Sequence, residues 1–231
     1  MRWPLFLALL ASAAPLSAQA YQCRVPQAVT VPPVRPDGPT RRTPVTGYTL
    51  ALSWAPEFCK GRESRKADAV QCSGANGRFG LVVHGLWPEG RGTWPQWCPT
   101  TRRLSPAEAR ANLCMIPSVR LQATEWRKHG ACMTATPTGY FKVTRIVFGG
   151  LRLPDLDRLS KEPALAAGTV RKRFAAANPG WRADAVGVVL NERGWLEELR
   201  LCYGKDFMPA RCDRRRFGPP DSAPVKIWRG L

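Results

Sequence analysis

Eight cysteines, read together with the leader that precedes them, limit most strongly what this chain can fold into. Residues 1–20 carry a charged start at Arg2, an apolar run from Leu5 to Ala14 and the small-residue pattern Ala18-Gln19-Ala20, the layout of a secretory signal peptide. That run is too short to span a bilayer, and no other stretch qualifies as a transmembrane segment. The mature chain is therefore expected to begin near Tyr21 and to be exported, periplasmic or extracellular. An even number of cysteines in an oxidising compartment reads as a disulfide framework, and no pair has the C-x-x-C spacing of a zinc site. Sequence alone leaves the pairing open. Short loops suggest Cys59 with Cys72 and Cys202 with Cys212, each closing around a turn or hairpin.

Covalent staples need a core to fasten. At 231 residues and 44% hydrophobic content, the chain can build one good-sized domain. Its surface must be strongly basic, because 35 Lys and Arg stand against 17 Asp and Glu, a formal charge of +18. A field of that size draws polyanions: nucleic acid, anionic lipid or acidic polysaccharide.

The pattern along the chain divides it into a leader (1–20), a proline-rich lead-in (21–47) and a catalytic domain (48–231). The lead-in has little apolar periodicity and reads as extended. "GYTLALSWAP" alternates, with Tyr48, Leu50, Leu52 and Trp54 facing one way, and predicts a strand. "FGLVVHGLWP" predicts a second strand that ends at His84-Gly85 in a Gly-Leu-Trp-Pro turn. "AVGVVLNERGWLEELRLCYG" predicts a hairpin turning over Asn191 to Gly194. Ser105-Pro106-Ala107-Glu108 is a capping box that opens a helix toward Cys114, and a further helix is expected from Ser118 to Gly130. "TGYFKVTRIVFGG" and "TVRKRFAAANPG" predict two more. The expected class is α+β: a central, mostly antiparallel sheet with several surrounding helices in a single disulfide-stabilised domain.

Chemistry concentrates around two histidines, the only two in the chain. In "TEWRKHGAC" a helix would put Glu125, Lys128 and His129 at i, i+3 and i+4 on one face, with Trp126 turned toward the core. Such spacing is also common on solvated surfaces, where an ion pair contributes only a few tenths of a kcal/mol. His84 is also followed by glycine and set among tryptophans. Two histidines facing across a cleft can divide the roles of base and acid near neutral pH. A polyanion with its own nucleophile suits them: a base frees the 2′-hydroxyl of RNA to attack phosphorus, and an acid protonates the departing 5′-oxygen. Lys128 would neutralise charge on the phosphorane oxygens, and Glu125 would orient a partner or hold Lys128. The scheme needs no cofactor, and there is no HExxH, acidic cluster or third histidine to bind a metal.

The segments "HGLWPEG" and "EWRKHGAC" resemble the paired active-site segments of the ribonuclease T2 family, in the family's order and spacing. "LALSWAPEFC", "MIPS" and "LRLCYG" with Cys202 and Cys212 support the resemblance, which covers roughly residues 48–212. It implies an α+β, metal-independent endoribonuclease that cuts single-stranded RNA through a 2′,3′-cyclic phosphate to 3′-phosphate ends, with low base specificity and no action on DNA. It makes His129 the general base, His84 the general acid, and Glu125 and Lys128 the stabilisers of the transition state. It also implies a Cys98–Cys132 bond, which leaves Cys23 to pair with Cys114. Trp87 looks like a base-stacking residue, and Glu89 occupies the place of the family's base-contacting acid. Many members carry a histidine immediately before the glutamate, and here that place is Thr124, which can donate a hydrogen bond to the substrate phosphate but brings no charge. Arg127 or the basic surface would then compensate. Ala131 stands where threonine is usual.

Two other readings compete. A catalytically silent cationic module would use the same fold to bind RNA or membranes, but has no need of His84, Lys128 and His129. A hydrolase of another polymer, with Glu125 as acid, would need a second carboxylate, for which Glu89 is the candidate. A monomer is expected, since nothing suggests an oligomer seam.

Overall fold

A computed structural model describes residues 20–230; apart from Ala20, the leader read over 1–20 lies outside the described residues. In chain order the elements are β1 (Ala20–Tyr21), β2 (Gly47–Trp54), α1 (Ala55–Cys59), α2 (Ala69–Cys72), β3 (Arg78–Phe79), β4 (Leu81–Glu89), α3 (Pro106–Asn112), α4 (Val119–Lys128), α5 (Pro137–Gly149), α6 (Leu156–Leu159), α7 (Ala167–Ala177), β5 (Val186–Leu190), β6 (Leu196–Gly204) and α8 (Arg214–Phe217). This is the expected α+β class. The central sheet runs β4-β2-β6-β5 with every pair antiparallel, and β1 and β3 form a separate two-stranded ribbon.

Register explains the two faces of the sheet. Leu50 stands opposite Leu86 and Leu201, Leu52 opposite Val83 and Leu199, and Val186 and Val188 opposite Leu201 and Leu199. These buried aliphatics make one face apolar, and they belong to the same core as Trp126, Tyr140, Phe141 and Phe174. The alternate rungs, Trp87–Thr49–Cys202 and Gly85–Ala51–Arg200–Gly187, put the polar residues on the other face. Strand β2 is interior and covered on both sides, so Thr49 and Ala51 are as fully buried as Leu50.

Strand β4 departs from the expectation. It does not end at His84-Gly85 but continues through the supposed turn to Glu89. As an edge strand it tolerates Pro88, whose missing N–H interrupts no interior ladder. Its free edge is closed by side and main chain: Leu86 N–H donates to Tyr140 Oη at 3.1 Å, Tyr140 O–H donates to Leu86 O at 3.2 Å, and Val83 N–H donates to Met115 O at 2.9 Å. The ladder slips once, where Ala51 pairs with Gly85 and Leu52 with Val83. His84 is thus the extra residue of a β-bulge, a device that re-aims a side chain.

The helices start where their caps are. Ser105 and Glu108 form the reciprocal capping box of α3, and Ser118 Oγ accepts from Leu121 N–H at the start of α4. Helix α4 stops at Lys128 with His129 as its C-cap, and Gly130 opens a 3₁₀ turn through Cys132. In the β5–β6 hairpin, Gly194 takes φ +77°, a left-handed conformation suited to glycine. The short α1, α2, α6 and α8 were not foreseen. Disulfides join Cys23–Cys114, Cys59–Cys72, Cys98–Cys132 and Cys202–Cys212. The lead-in is extended along the body: Val29, Val31 and Val34 pack against the core, and Arg41 bridges to Gln96.

Candidate active site

Three elements, β4, β6 and α4, converge on one polar cluster. The bulge of β4 turns His84 toward β6, where its Nδ1 lies 2.8 Å from Glu198 Oε1. Helix α4 delivers Glu125 to the other side of the same ring, with Oε1 3.9 Å from His84 Nε2. Trp87, farther along β4, donates its indole N–H to Glu125 Oε2 at 2.7 Å. The Trp87 ring stands edge-on to His84 at 5.2 Å and tilted against His129 at 5.8 Å. The structure therefore brings together His84, Trp87, Glu125 and His129, with Lys128 on the adjoining turn of α4.

The glycines after both histidines are there because of close packing. A Cβ at Gly85 would collide with the Glu125 carboxylate and lie 2.5 Å from Trp87 Nε1. At Gly130 it would lie 2.7 Å from both the Trp126 and Tyr140 rings. Gly85 admits the carboxylate, and Gly130 lets the end of α4 settle onto α5.

Electrostatics drives the two histidines apart. Burial alone would lower the pKa of His84, but its hydrogen bond to the Glu198 carboxylate and the charges of Glu125 and Glu198 outweigh it, and the net shift is upward. In return, and against the effect of burial, Glu198 is held below the usual carboxylate range by His84 and by Arg200, whose Nε donates to Glu198 Oε2 at 2.8 Å. His129 is 7% exposed, and burial, with the positive charge of Lys128 and His84, pushes it down to about 3. Burial raises Glu125 to about 7 despite His84, Trp87 and Lys128, which favour its charge. One imidazole is thus biased toward the protonated form and the other toward the neutral, from which an acid and a base can be assigned.

The remaining expected residues are placed differently. Glu89 stands at the far end of β4, where Thr49 Oγ1 donates to it at 2.7 Å and Arg216 approaches within 3.7 Å. Arg216 arrives on α8, which fully buried Arg171 clasps by donating to Phe217 O and Pro219 O. Thr124 lies half-buried on α4 one turn before Lys128. Arg127, expected to compensate for Thr124, donates instead to Thr100 O at 3.0 Å. Lys128 Nζ lies 2.8 Å from Asp37 Oδ2. Sequence reasoning missed Glu198, Arg200 and Asp37: Glu198 is 114 residues from His84, and no local spacing links them. Among the described residues no group of three or more His, Cys, Asp or Glu could hold a metal ion, and no helix is long and apolar enough to cross a membrane.

The model of the ribonuclease T2 family matches residues 46–155. A ribonuclease of Aeromonas hydrophila is 42% identical over 168 residues, 69% of this chain and 72% of that protein. A probable ribonuclease of Haemophilus influenzae is 30% identical over 192 residues, 77% of this chain but only 65% of the relative's length. Among solved structures, trichomaglin, an S-like ribonuclease, superposes with a TM-score of 0.61 at 23% identity, over 74% of this chain and 92% of that one; at that identity the likeness speaks for the fold. With both histidines packed against Trp87 and relatives of this closeness, the chain belongs to the ribonuclease T2 family.

Proposed function

We propose that the protein is an exported, monomeric, metal-independent endoribonuclease that cuts single-stranded RNA by attack of the 2′-hydroxyl on the adjacent phosphorus, and that it leaves DNA intact. The observation that carries this reading is the opposite electrostatic bias of two imidazoles flanking one indole. His129, neutral, takes the 2′-hydroxyl proton, and the arriving phosphodiester charge favours the imidazolium that forms. The 2′-oxygen bonds to phosphorus, the bond to the 5′-oxygen breaks, and His84 delivers a proton to that oxygen. The products are a 2′,3′-cyclic phosphate and a free 5′-hydroxyl. Water added in the reverse sense, with the two roles exchanged, opens the ring to a 3′-phosphate. Because Glu198 holds Nδ1 of His84, Nε2 is left to carry the transferred proton. Lys128 and Glu125 face the phosphorane, Trp87 offers a stacking face for a base, and Glu89 and Thr124 contact base and phosphate. Each proton transfer contributes typically ~10²- to 10⁴-fold.

The test is incubation of the mature protein with RNA and sequence-matched DNA in excess chelator, followed by analysis of the fragment ends. Cyclic phosphate ends on RNA beside intact DNA support the mechanism. RNA that is bound but uncut would instead establish a silent cationic module, and cutting that chelator abolishes would overturn the metal-free scheme.

A further inference from the structure

The ammonium of Lys128 meets a carboxylate that the helix does not supply. Asp37 lies on the extended lead-in, 91 residues before Lys128, and its Oδ2 accepts from Lys128 Nζ at 2.8 Å. Its other oxygen, Oδ1, accepts the indole N–H of Trp97 at 3.0 Å. Trp97 in turn donates its backbone N–H to Lys128 O at 2.8 Å. One residue therefore grips Lys128 at both ends, the carbonyl directly and the ammonium through Asp37. Lys128 Nζ also stands 5.8 Å from the centre of the Trp97 ring.

This bracket is built rather than incidental. Trp97 is 5% exposed and takes φ +54°, a left-handed backbone that a bulky residue adopts only where its surroundings enforce it. The neighbouring Cys98 is bonded to Cys132 just beyond His129, so the bracket and the end of α4 are covalently tied. On the lead-in side, Arg41 and Gln96 exchange backbone hydrogen bonds, Gln96 Nε2 donates to Pro39 O at 2.9 Å, and Thr40 O–H donates to Trp97 O at 3.1 Å. An exposed lysine and aspartate alone would gain little from pairing. Here the Asp37 side chain is 62% exposed but fixed by a second donor, and Lys128 is 23% exposed. The lysine has three N–H groups and Asp37 occupies one, so the others remain for phosphate oxygens.

We propose that Asp37 is a positioning residue that aims the Lys128 ammonium at the reacting phosphate, making the proline-rich lead-in a working part of the active site. The proposal rests on the ribonuclease reading and on the role of Lys128 within it. An ammonium on a four-carbon stem stabilises developing charge well only if it need not be reordered during the reaction. The lead-in supplies that order from outside the catalytic helix.

The experiment is steady-state cleavage of a dinucleoside phosphate by the full mature chain carrying Asp37→Ala, Asp37→Asn, Lys128→Ala or Asp37→Ala with Lys128→Ala, each checked by thermal melting. Asp37→Ala should lower kcat about tenfold with KM changed by less than about twofold, a smaller loss than the ~10²- to 10³-fold expected of removing a charge-stabilising donor. Asp37→Asn should recover part of the rate, since its amide oxygen can still accept. In the Lys128→Ala background, Asp37→Ala should cost nothing further. Losses that multiply across the pair would mean a general structural role and overturn the proposal. So would an unchanged kcat, or a fall in KM, which would make Asp37 a counter-ion competing with substrate. If Lys128→Ala is slow while Asp37→Ala is not, this inference fails alone; if Lys128→Ala itself retains full rate, the ribonuclease assignment of Lys128 fails and takes the inference with it.

Discussion

At the scale of single residues, the partner that matters most to His84 is Glu198, whose carboxylate sits 2.8 Å from the imidazole and favours its protonated form. With His84 as the proposed general acid, which works only while protonated, activity should fall as pH rises through its raised pKa. Removing the Glu198 charge lowers that pKa. Glu198→Gln should therefore move the alkaline limb of the kcat profile to lower pH, read from rates across a pH series. Thr124→His should place an imidazole one turn before Lys128 and lower KM for RNA about three- to tenfold at mildly acidic pH, with kcat little changed; an unchanged KM would show that the phosphate does not reach this position. Legibility at this scale follows chain distance. Glu125, Lys128 and His129 could be grouped because helical spacing puts them together, and His84 because the chain has no other histidine to pair with His129. Glu198 alternates along a strand like an ordinary half-exposed carboxylate, and Asp37 sits in a segment with no periodicity. Only the folded chain shows that Glu198 reaches His84 and Asp37 reaches Lys128.

At the scale of elements, β2, the β5–β6 hairpin and helices α3, α4, α5 and α7 could be read from alternation, caps and breakers. Helices of four or five residues such as α1, α2, α6 and α8 carry too little period to be seen. The misreading of β4 has a physical cause. Gly-Leu-Trp-Pro looks like a turn, yet the glycine admits Glu125 and the proline rides an edge whose hydrogen bonds come from outside the sheet. The closeness of that fit predicts that Gly85→Ala will push the Glu125 carboxylate and the Trp87 indole apart. It should lower kcat by roughly 10²-fold and reduce the melting temperature, as measured by kinetics and calorimetry on the same preparation.

At the scale of the whole molecule, the +18 charge was evident from composition before any element was placed, and the short loops had already suggested the Cys59–Cys72 and Cys202–Cys212 bonds. That charge should govern how long substrates are held. KM for a long single-stranded RNA should rise steeply and log-linearly between about 50 and 200 mM salt, while KM for a dinucleoside phosphate, which contacts few cations, should change little; matched slopes would show that the basic surface takes no part in binding. The bulge in β4 also sets what a single deletion would do to the strand. Because Gly85 already faces Ala51 and Val83 already faces Leu52, an in-frame loss of the codon for His84 would leave these pairs as consecutive rungs of an unbroken ladder. Such a chain would keep its core, cysteines and charge and would lack the group that the proposed mechanism uses as proton donor. On the mechanism proposed above, the step from a nuclease to a polycation that holds RNA without cutting it is one three-nucleotide deletion, and the deletion would make the strand more regular.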